Sequence, residues 1–256
     1  MIQINQNHPL ARKLIAAYPL VERGGTLVRD FGKVRSNGTV TGATWQNGMY
    51  GTALRFASGS TNRIASGSGN YYAGPYSVAV LFKMGSSGVK ARQIFSYFGS
   101  GSPLRDNWLE FNTGGNNRIA WGHANSANNS FPQAQWDSNF ETDSIHLVMG
   151  VFDGTNLRIY ADGDIQYKAT AVSGVTIGEG SGSFYIGNRI SNDRALDGDI
   201  YLTYVWNRAL TDSDRLKLYA DPWCIYKRTP FMQIGNAATA VASTVKHYLT
   251  TLGVGS

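Results

Sequence analysis

The sequence predicts an all-β protein: a two-sheet antiparallel β-sandwich with one short helix near the end and a C-terminal extension. Three observations predict it. Aromatic and β-branched residues recur in short runs bounded by Gly, Asn, Ser or Pro. Asp-Gly and Asn-Gly pairs punctuate those runs. Thirty glycines, 14 tyrosines and 11 phenylalanines, set against only 16% charged residues, suit short strands and tight turns better than helices. A chain of 256 residues that is 42% hydrophobic can bury a sizeable core, and an all-β sandwich of this length commonly forms one domain. The expected division is a sandwich over residues 1–230 and an extension over 231–256.

The strand candidates begin with KLIAAYPL from Lys13, TALRF from Thr52 and NRIA from Asn62. In PYSVAVLFKM from Pro75, Tyr76, Val78, Val80 and Phe82 share one face and Ser77, Ala79, Leu81 and Lys83 the other. Both faces are partly apolar, as in a central strand with a second layer nearby. QIFSYFG from Gln93, NWLEF from Asn107 and NRIAWG from Asn117 follow. SIHLVMGVF from Ser144, NLRIYAD from Asn156, SFYIGN from Ser183 and GDIYLTYVW from Gly198 complete the set. Asn37-Gly38, Asp153-Gly154 and Asp162-Gly163 read as hairpin turns that require positive φ, and Gly114-Gly115 as another turn. Over LRIYADGDIQYK the pattern is a strand, a two-residue turn and a return strand.

One helix interrupts the rhythm at TDSDRLKLYAD, where Thr211 caps the N-terminus, Asp214 sits three residues on, and Leu216 and Tyr219 share a face. Asp221-Pro222 ends it. From about Phe231 the composition shifts to Ala, Thr, Val and Gly. Val241, Val245, Tyr248 and Leu252 fall at helical spacing, while the Thr and Val content equally suits an extended arm.

The formal net charge of +6 reflects a shortage of Glu more than an excess of scattered Lys and Arg, so the sequence predicts no nucleic-acid partner. Cys224 is the single cysteine and reads as a small apolar filler beside Trp223 and Ile225. No stretch approaches the length of a membrane span, so no membrane partner is expected. The start MIQINQNHPLARKL has neither an apolar h-region nor a small-residue cleavage site, which predicts synthesis without export through a signal peptide.

From Leu14 to Trp223 the order of elements resembles the laminin-G-like, concanavalin A-like jelly-roll family. LIAAYPLVERGGTLVRDFGKVRSNGTV is similar to the family's opening strand and its Asp-initiated turn, and GMYGTALRF to its second strand. HLVMGVFDGTNLRIYADGDI resembles its central hairpin. SFYIGNRISNDRALDGDIYLTYVWNRALTDSDRLKLYADPW resembles its closing signature of Ile-Gly, Asp-Gly, Asn-Arg-Ala-Leu and helix. The flanks HPLARKLIAAY and YADPWCIYKR are similar to those of phage-encoded structural members. Fold of this kind does not fix function, which has to be argued from sites.

Glycoside hydrolases of this family carry a Glu-x-Asp-x-x-Glu cluster, which this chain lacks; Asp197 and Asp199 are the nearest substitute, beside a turn where Asp is routine. The expectation is therefore a protein that is not an enzyme. The resemblance implies calcium as the one candidate cofactor, held by Asp30 of the opening turn and Asp199 of the closing strand. Tyr201 stands where many members show a further Asp, and Asp30 has an alternative role as a metal-free turn cap. The candidate glycan site is the polar segment GHANSANNSFPQAQWDSNF, with Asn125, Asn128, Asn129 and Gln133 as hydrogen-bonding amides and Trp136 as a platform. Its alternative is a polar surface loop with Phe131 and Trp136 tucked beneath it. Tyr71 and Tyr72, adjacent in sequence, place one ring on each face of a strand, one toward the core and the other either flat on the surface against water or toward a partner.

The leading functional expectation is a non-enzymatic phage virion protein, a decoration or auxiliary subunit displayed on the capsid or tail surface. Its partners are other virion proteins, with homo-oligomerisation. The alternative is a carbohydrate-binding module that attaches to a bacterial cell-surface glycan.

Overall fold

A computed structural model describes residues 2–58, 61–67, 69–70, 74–85, 92–99, 105–111, 118–124, 131–136, 140, 142–164, 168–172 and 181–227. The early strands are β1 (Leu14–Tyr18), β2 (Leu27–Val28), β3 (Gly38–Thr41), β4 (Thr44–Gly48), β5 (Gly51–Phe56), β6 (Arg63–Ser66) and β7 (Gly69–Asn70). Next come β8 (Tyr76–Met84), β9 (Arg92–Gly99), β10 (Arg105–Phe111), β11 (Ile119–His123), β12 (Gln133–Trp136) and β13 (Ile145–Phe152). Then β14 (Asn156–Ala161), β15 (Lys168–Ala171), β16 (Ser181–Ile186) and β17 (Gly198–Trp206) precede the helix α1 (Asp212–Ala220). Among the described residues these strands form two antiparallel sheets. The 8-stranded sheet runs β15-β14-β13-β8-β17-β5-β4, with β1 also on β17. The 9-stranded sheet runs β12-β11-β10-β9-β16-β6-β3-β2, with β7 also on β16. The expected two-sheet sandwich is what the chain forms.

The alternation read in YSVAVLFKM builds two apolar layers. Tyr76, Val78, Val80 and Phe82 face Phe95, Leu109, Trp121 and Phe184 of the other sheet in the inter-sheet core. Gly150 makes room there, since a Cβ at that position would stand 2.2 Å from the Trp121 ring. The opposite face of the 8-stranded sheet carries Ala79, Leu81, Met149, Val151, Tyr204 and Trp206. It is covered by Ile4 and Leu10 from the chain start, Leu218 of α1, and Ile225 and Tyr226. Two polar tethers fix that cover: Trp206 Nε1 donates to the Leu10 carbonyl at 2.7 Å and the Tyr204 hydroxyl to the Pro222 carbonyl at 2.9 Å.

The capping box forms as expected: Thr211 Oγ1 accepts from the Asp214 amide, and Asp214 Oδ2 accepts from the Thr211 amide at 3.0 Å. The face shared by Leu216 and Tyr219 is not the one the helix buries. Asp214, Arg215 and Leu218 turn inward, while Leu216 and Tyr219 are exposed. Arg215 wins an inward place because its guanidinium donates to the Gly163 and Asp164 carbonyls, both at 2.6 Å, pinning the helix to the turn after β14.

The turns also bring corrections. Asp162-Gly163 takes the positive φ angles of 51° and 75° that the dipeptide predicts. The Asp164 amide donates to the Ala161 carbonyl at 2.9 Å and closes that two-residue turn, but the return strand pairs at Ile159↔Lys168, two residues further along than the turn alone would set. Asn37-Gly38 is not a left-handed turn. Gly38 opens β3, where a Cβ would meet Ile64 at 2.5 Å, and Asn37 Oδ1 accepts from the Asp30 amide at 3.0 Å. Gly114-Gly115, Tyr71, Tyr72 and the 231–256 extension lie outside the described residues, among which no helix is long and apolar enough to cross a membrane.

Candidate functional site

Strand register on the 9-stranded sheet lines up one transverse row of side chains. Gln133 pairs with Gly122, Gly122 with Trp108, Trp108 with Ser96, Ser96 with Tyr185, Tyr185 with Ala65, and Ala65 with Thr39. Opposed residues in an antiparallel ladder point to the same face. Their neighbours Leu109, Phe95, Phe184, Ile64 and Val40 fill the inter-sheet core, so the row lies on the outer face. Large and small residues alternate along it. The half-exposed rings of Trp108 and Tyr185 are two strands apart, about 10 Å at the usual strand spacing. A Cβ on Gly122 would come within 2.3 Å of the Trp108 indole, so that ring lies across the bare backbone of β11.

A second row runs beside the first. Gln135 pairs with Ala120, Ala120 with Glu110, and Glu110 with Gln93 across a register shift between Leu109 and Glu110. Glu110 Oε2 accepts from Arg194 Nη1 at 2.7 Å. Burial pushes the Glu110 carboxyl above the ordinary carboxylate range, against the pull of Arg194. Gln93 is 3% exposed, hydrogen-bonds Glu110, and leaves its Oε1 without a partner among the described residues.

The connection between β16 and β17 edges this face. Asn188 Oδ1 gathers the amides of Arg189 and Arg194 at 2.9 and 3.1 Å, and Arg189 pairs with Asp193. Arg63 reaches from β6 to the Ile190 carbonyl and Asn192 Oδ1 while its guanidinium lies 5.3 Å from the Tyr185 ring centroid. At the other margin Phe131, 55% exposed, stands 6.3 Å from Trp108, centroid to centroid. The result is two aromatic platforms flanked by a carboxylate, an amide and two guanidinium groups, which is the chemistry that packs against sugar ring faces and hydrogen-bonds their hydroxyls.

The residues expected to bind divide. Asn125, Asn128 and Asn129 lie outside the described residues. Gln133 stands on the outer face at the end of the aromatic row. Trp136, opposite the core residue Ile119, packs against the inter-sheet core, so it is not the exposed platform expected of it. Asp30 and Asp199 do not share a site. Asp30 is a turn cap: Oδ1 accepts from the Ala17 and Gly32 amides at 2.8 and 2.7 Å and Oδ2 from the Ser36 amide at 2.9 Å. Burial raises its pKa while these amides pull it down. Ala17 is opposite Tyr204, roughly 15 Å along β17 from Asp199 at the usual strand rise. Asp197 and Asp199 both face one guanidinium, with Arg55 nitrogens at 2.7 and 3.4 Å. Among the described residues no group of three His, Cys, Asp or Glu side chains is placed to hold a metal ion. Trp108, Tyr185, Glu110 and Arg194 were not singled out from the sequence. The available signal was NWLEF, where inward Leu109 and Phe111 force Trp108 and Glu110 together onto the other face.

Similarity to known proteins fits this architecture. Domain 4 of the extracellular arabinanase AbnA from Geobacillus stearothermophilus, solved in complex with arabinotriose, superposes with a TM-score of 0.62 at 20% identity, over 81% of this chain and 98% of that one. The binding domain of botulinum neurotoxin serotype D gives 0.61 at 13% identity, covering 82% of this chain and 52% of that one. Trypanosoma rangeli sialidase in complex with the inhibitor DANA gives 0.58 at 14%, over 80% of this chain and 32% of that one. At such identities these likenesses speak for the fold. No curated protein sequence matches the chain. The family model of the concanavalin A-like lectin/glucanases superfamily matches residues 58–214, and the chain belongs to that superfamily.

Proposed function

We propose that this chain is a non-enzymatic carbohydrate-binding module whose glycan lies along the outer face of the 9-stranded sheet. The observation that carries the reading is the row of Trp108, Ser96 and Tyr185, with Glu110, Gln93 and Arg194 beside it. Rings spaced by small residues give a sugar flat apolar surfaces, and the buried polar groups beside them supply orientation. The arabinotriose complex of the arabinanase domain supports the same chemical class. The absence of enzymatic activity is supported by the pairing of Glu110 with Arg194 and the sharing of Arg55 by Asp197 and Asp199. The virion reading, with its oligomer of virion subunits, rests on the sequence flanks alone, so glycan binding takes precedence.

A glycan array probed with the wild-type chain and with Trp108→Ala tests the proposal. The wild type binds at least one glycan class, and Trp108→Ala weakens binding by about 2 kcal/mol, roughly 30-fold, while the melting temperature stays near wild type. An empty array, or equal binding by both proteins, overturns it.

A further inference from the structure

A cleft of about 460 Å³ opens on the other sheet, lined by Gln46, Gly48, Lys83, Asp143, Asp199 and Tyr201 among others. It arises where pairing stops. The β17–β5 ladder ends at Ile200↔Leu54, and a register shift between Ile200 and Leu202 on the β8 side leaves Tyr201 as the extra residue. The β4–β5 hairpin continues past this point to Gly48↔Gly51, so its end overhangs the gap. Gly48 is required there, because a Cβ would stand 2.6 Å from the Tyr201 hydroxyl.

Two nearly buried polar groups line this cleft with unused hydrogen-bonding capacity. Tyr201 is only 2% exposed, and its hydroxyl makes no hydrogen bond among the described residues. Asp199 is 7% exposed, and its closest described partner is Arg55 at 3.4 Å, a guanidinium that Asp197 already engages at 2.7 Å. Neither the Tyr201 hydroxyl nor the Asp199 carboxylate is among the buried side-chain atoms that lack a partner, so both reach the solvent of the cleft and are open to a ligand.

The charges around the cleft select the ligand class. Asp199 lies directly between Lys83 and Arg55 across the sheet, so a bare cation would sit against two positive charges. Asp143, 3.8 Å from Lys83 Nζ, and Asp199 itself repel an anion. A neutral polyol meets neither objection: adjacent hydroxyls can donate to the Asp199 carboxylate and accept from Lys83 and Tyr201. Met49, 74% exposed at the hairpin end, offers an apolar edge to the carbon face of the same ligand.

We infer that this cleft is a second saccharide site, sized for a terminal sugar residue and formed by Asp199, Tyr201, Lys83 and the β4–β5 hairpin. It stands independently of the aromatic face, and the two sites together make the domain bivalent for glycan.

Amide chemical-shift mapping of the isotope-labelled full chain with arabinotriose, glucose and galactose, each at millimolar concentration, tests it. Saturable shifts at Gly48, Ser144, Asp199 and Tyr201 are expected, with binding about tenfold weaker in Asp199→Asn and about threefold weaker in Tyr201→Phe. Tyr201→Phe keeps the packed ring, so a loss of binding there reads the hydroxyl and not the fold. Shifts confined to Ala65, Ser96 and Gly122 would support the aromatic face and overturn the second site. No shift at the cleft with any of the three sugars, shifts unaffected by both substitutions, or equal shifts with calcium chloride alone would overturn it as well.

Discussion

On its outer face the 8-stranded sheet carries Leu81, Met149, Tyr204 and Trp206 beneath a cover of chain start, helix and final turn, whereas the 9-stranded sheet carries Trp108, Ser96, Tyr185 and Glu110. The described cover on that second face is the Asn188–Arg194 connection, which reaches Ser96 through the Asn188 carbonyl and Glu110 through Arg194. The chain therefore invests its apolar surface differently on the two sides. Contiguous rings on the first face demand burial. Rings on the second are held apart by Gly122, Ser96 and Ala65, which keeps each half wet without forming a broad hydrophobic patch. Under the proposed function, spacing its aromatics makes one sheet face a binding surface, while crowding them makes the other a structural one.

Breaking the crowded side should have the largest effect. Trp206 is fully buried and tied to Leu10, so Trp206→Ala should cost about 3–5 kcal/mol in urea unfolding. Between the sheets, His123 tests the core that both sides share. It is 2% exposed and within 3.0 Å of the Tyr76 hydroxyl, and burial lowers its pKa to about 4. The unfolded chain takes up this proton from about pH 6.5 downward, while the folded chain resists until about pH 4. Over that window the unfolded state binds more protons, so stability falls as pH drops, by up to about 3 kcal/mol. His123→Phe should flatten that part of the stability–pH curve, measured by denaturant titration at stepped pH. On the spaced side, Gly122→Ala should move the Trp108 indole off its strand and weaken glycan binding by about 1 kcal/mol, with little change in melting temperature because the ring is free to swing toward solvent. An equal loss of stability in Trp206→Ala and Trp108→Ala would erase the distinction between the two faces.

The long central strands were legible because YSVAVLFKM and GDIYLTYVW are sustained apolar and aromatic runs with turn residues at their starts, and both became central strands of the 8-stranded sheet. GTVT and TWQNG became β3 and β4 without being foreseen, since Gly and Asn in so short a run signal turns until a neighbouring strand supplies hydrogen bonds. QAQW was read as loop because polar residues surround it, yet β12 forms as an edge strand through pairing with β11. The proposed glycan site was missed in the sequence for a related reason. Trp136 and Trp108 look alike as isolated tryptophans, and only register decides that one faces Ile119 in the core while the other lies opposite Ser96 on the surface. The register across β9 and β10 further depends on a shift beside Glu110, which no local pattern announces.

The tethers on the covered face have a consequence for orientation. Ile4 bridges to Tyr226, and the Lys227 amide donates to the Gln3 carbonyl at 2.7 Å, so the two described ends of the chain sit side by side on the back of the molecule. The aromatic row lies on the other sheet, in the way a palm faces away from the back of a hand, so under the proposed function the surface offered to a glycan is turned away from these two tethered segments.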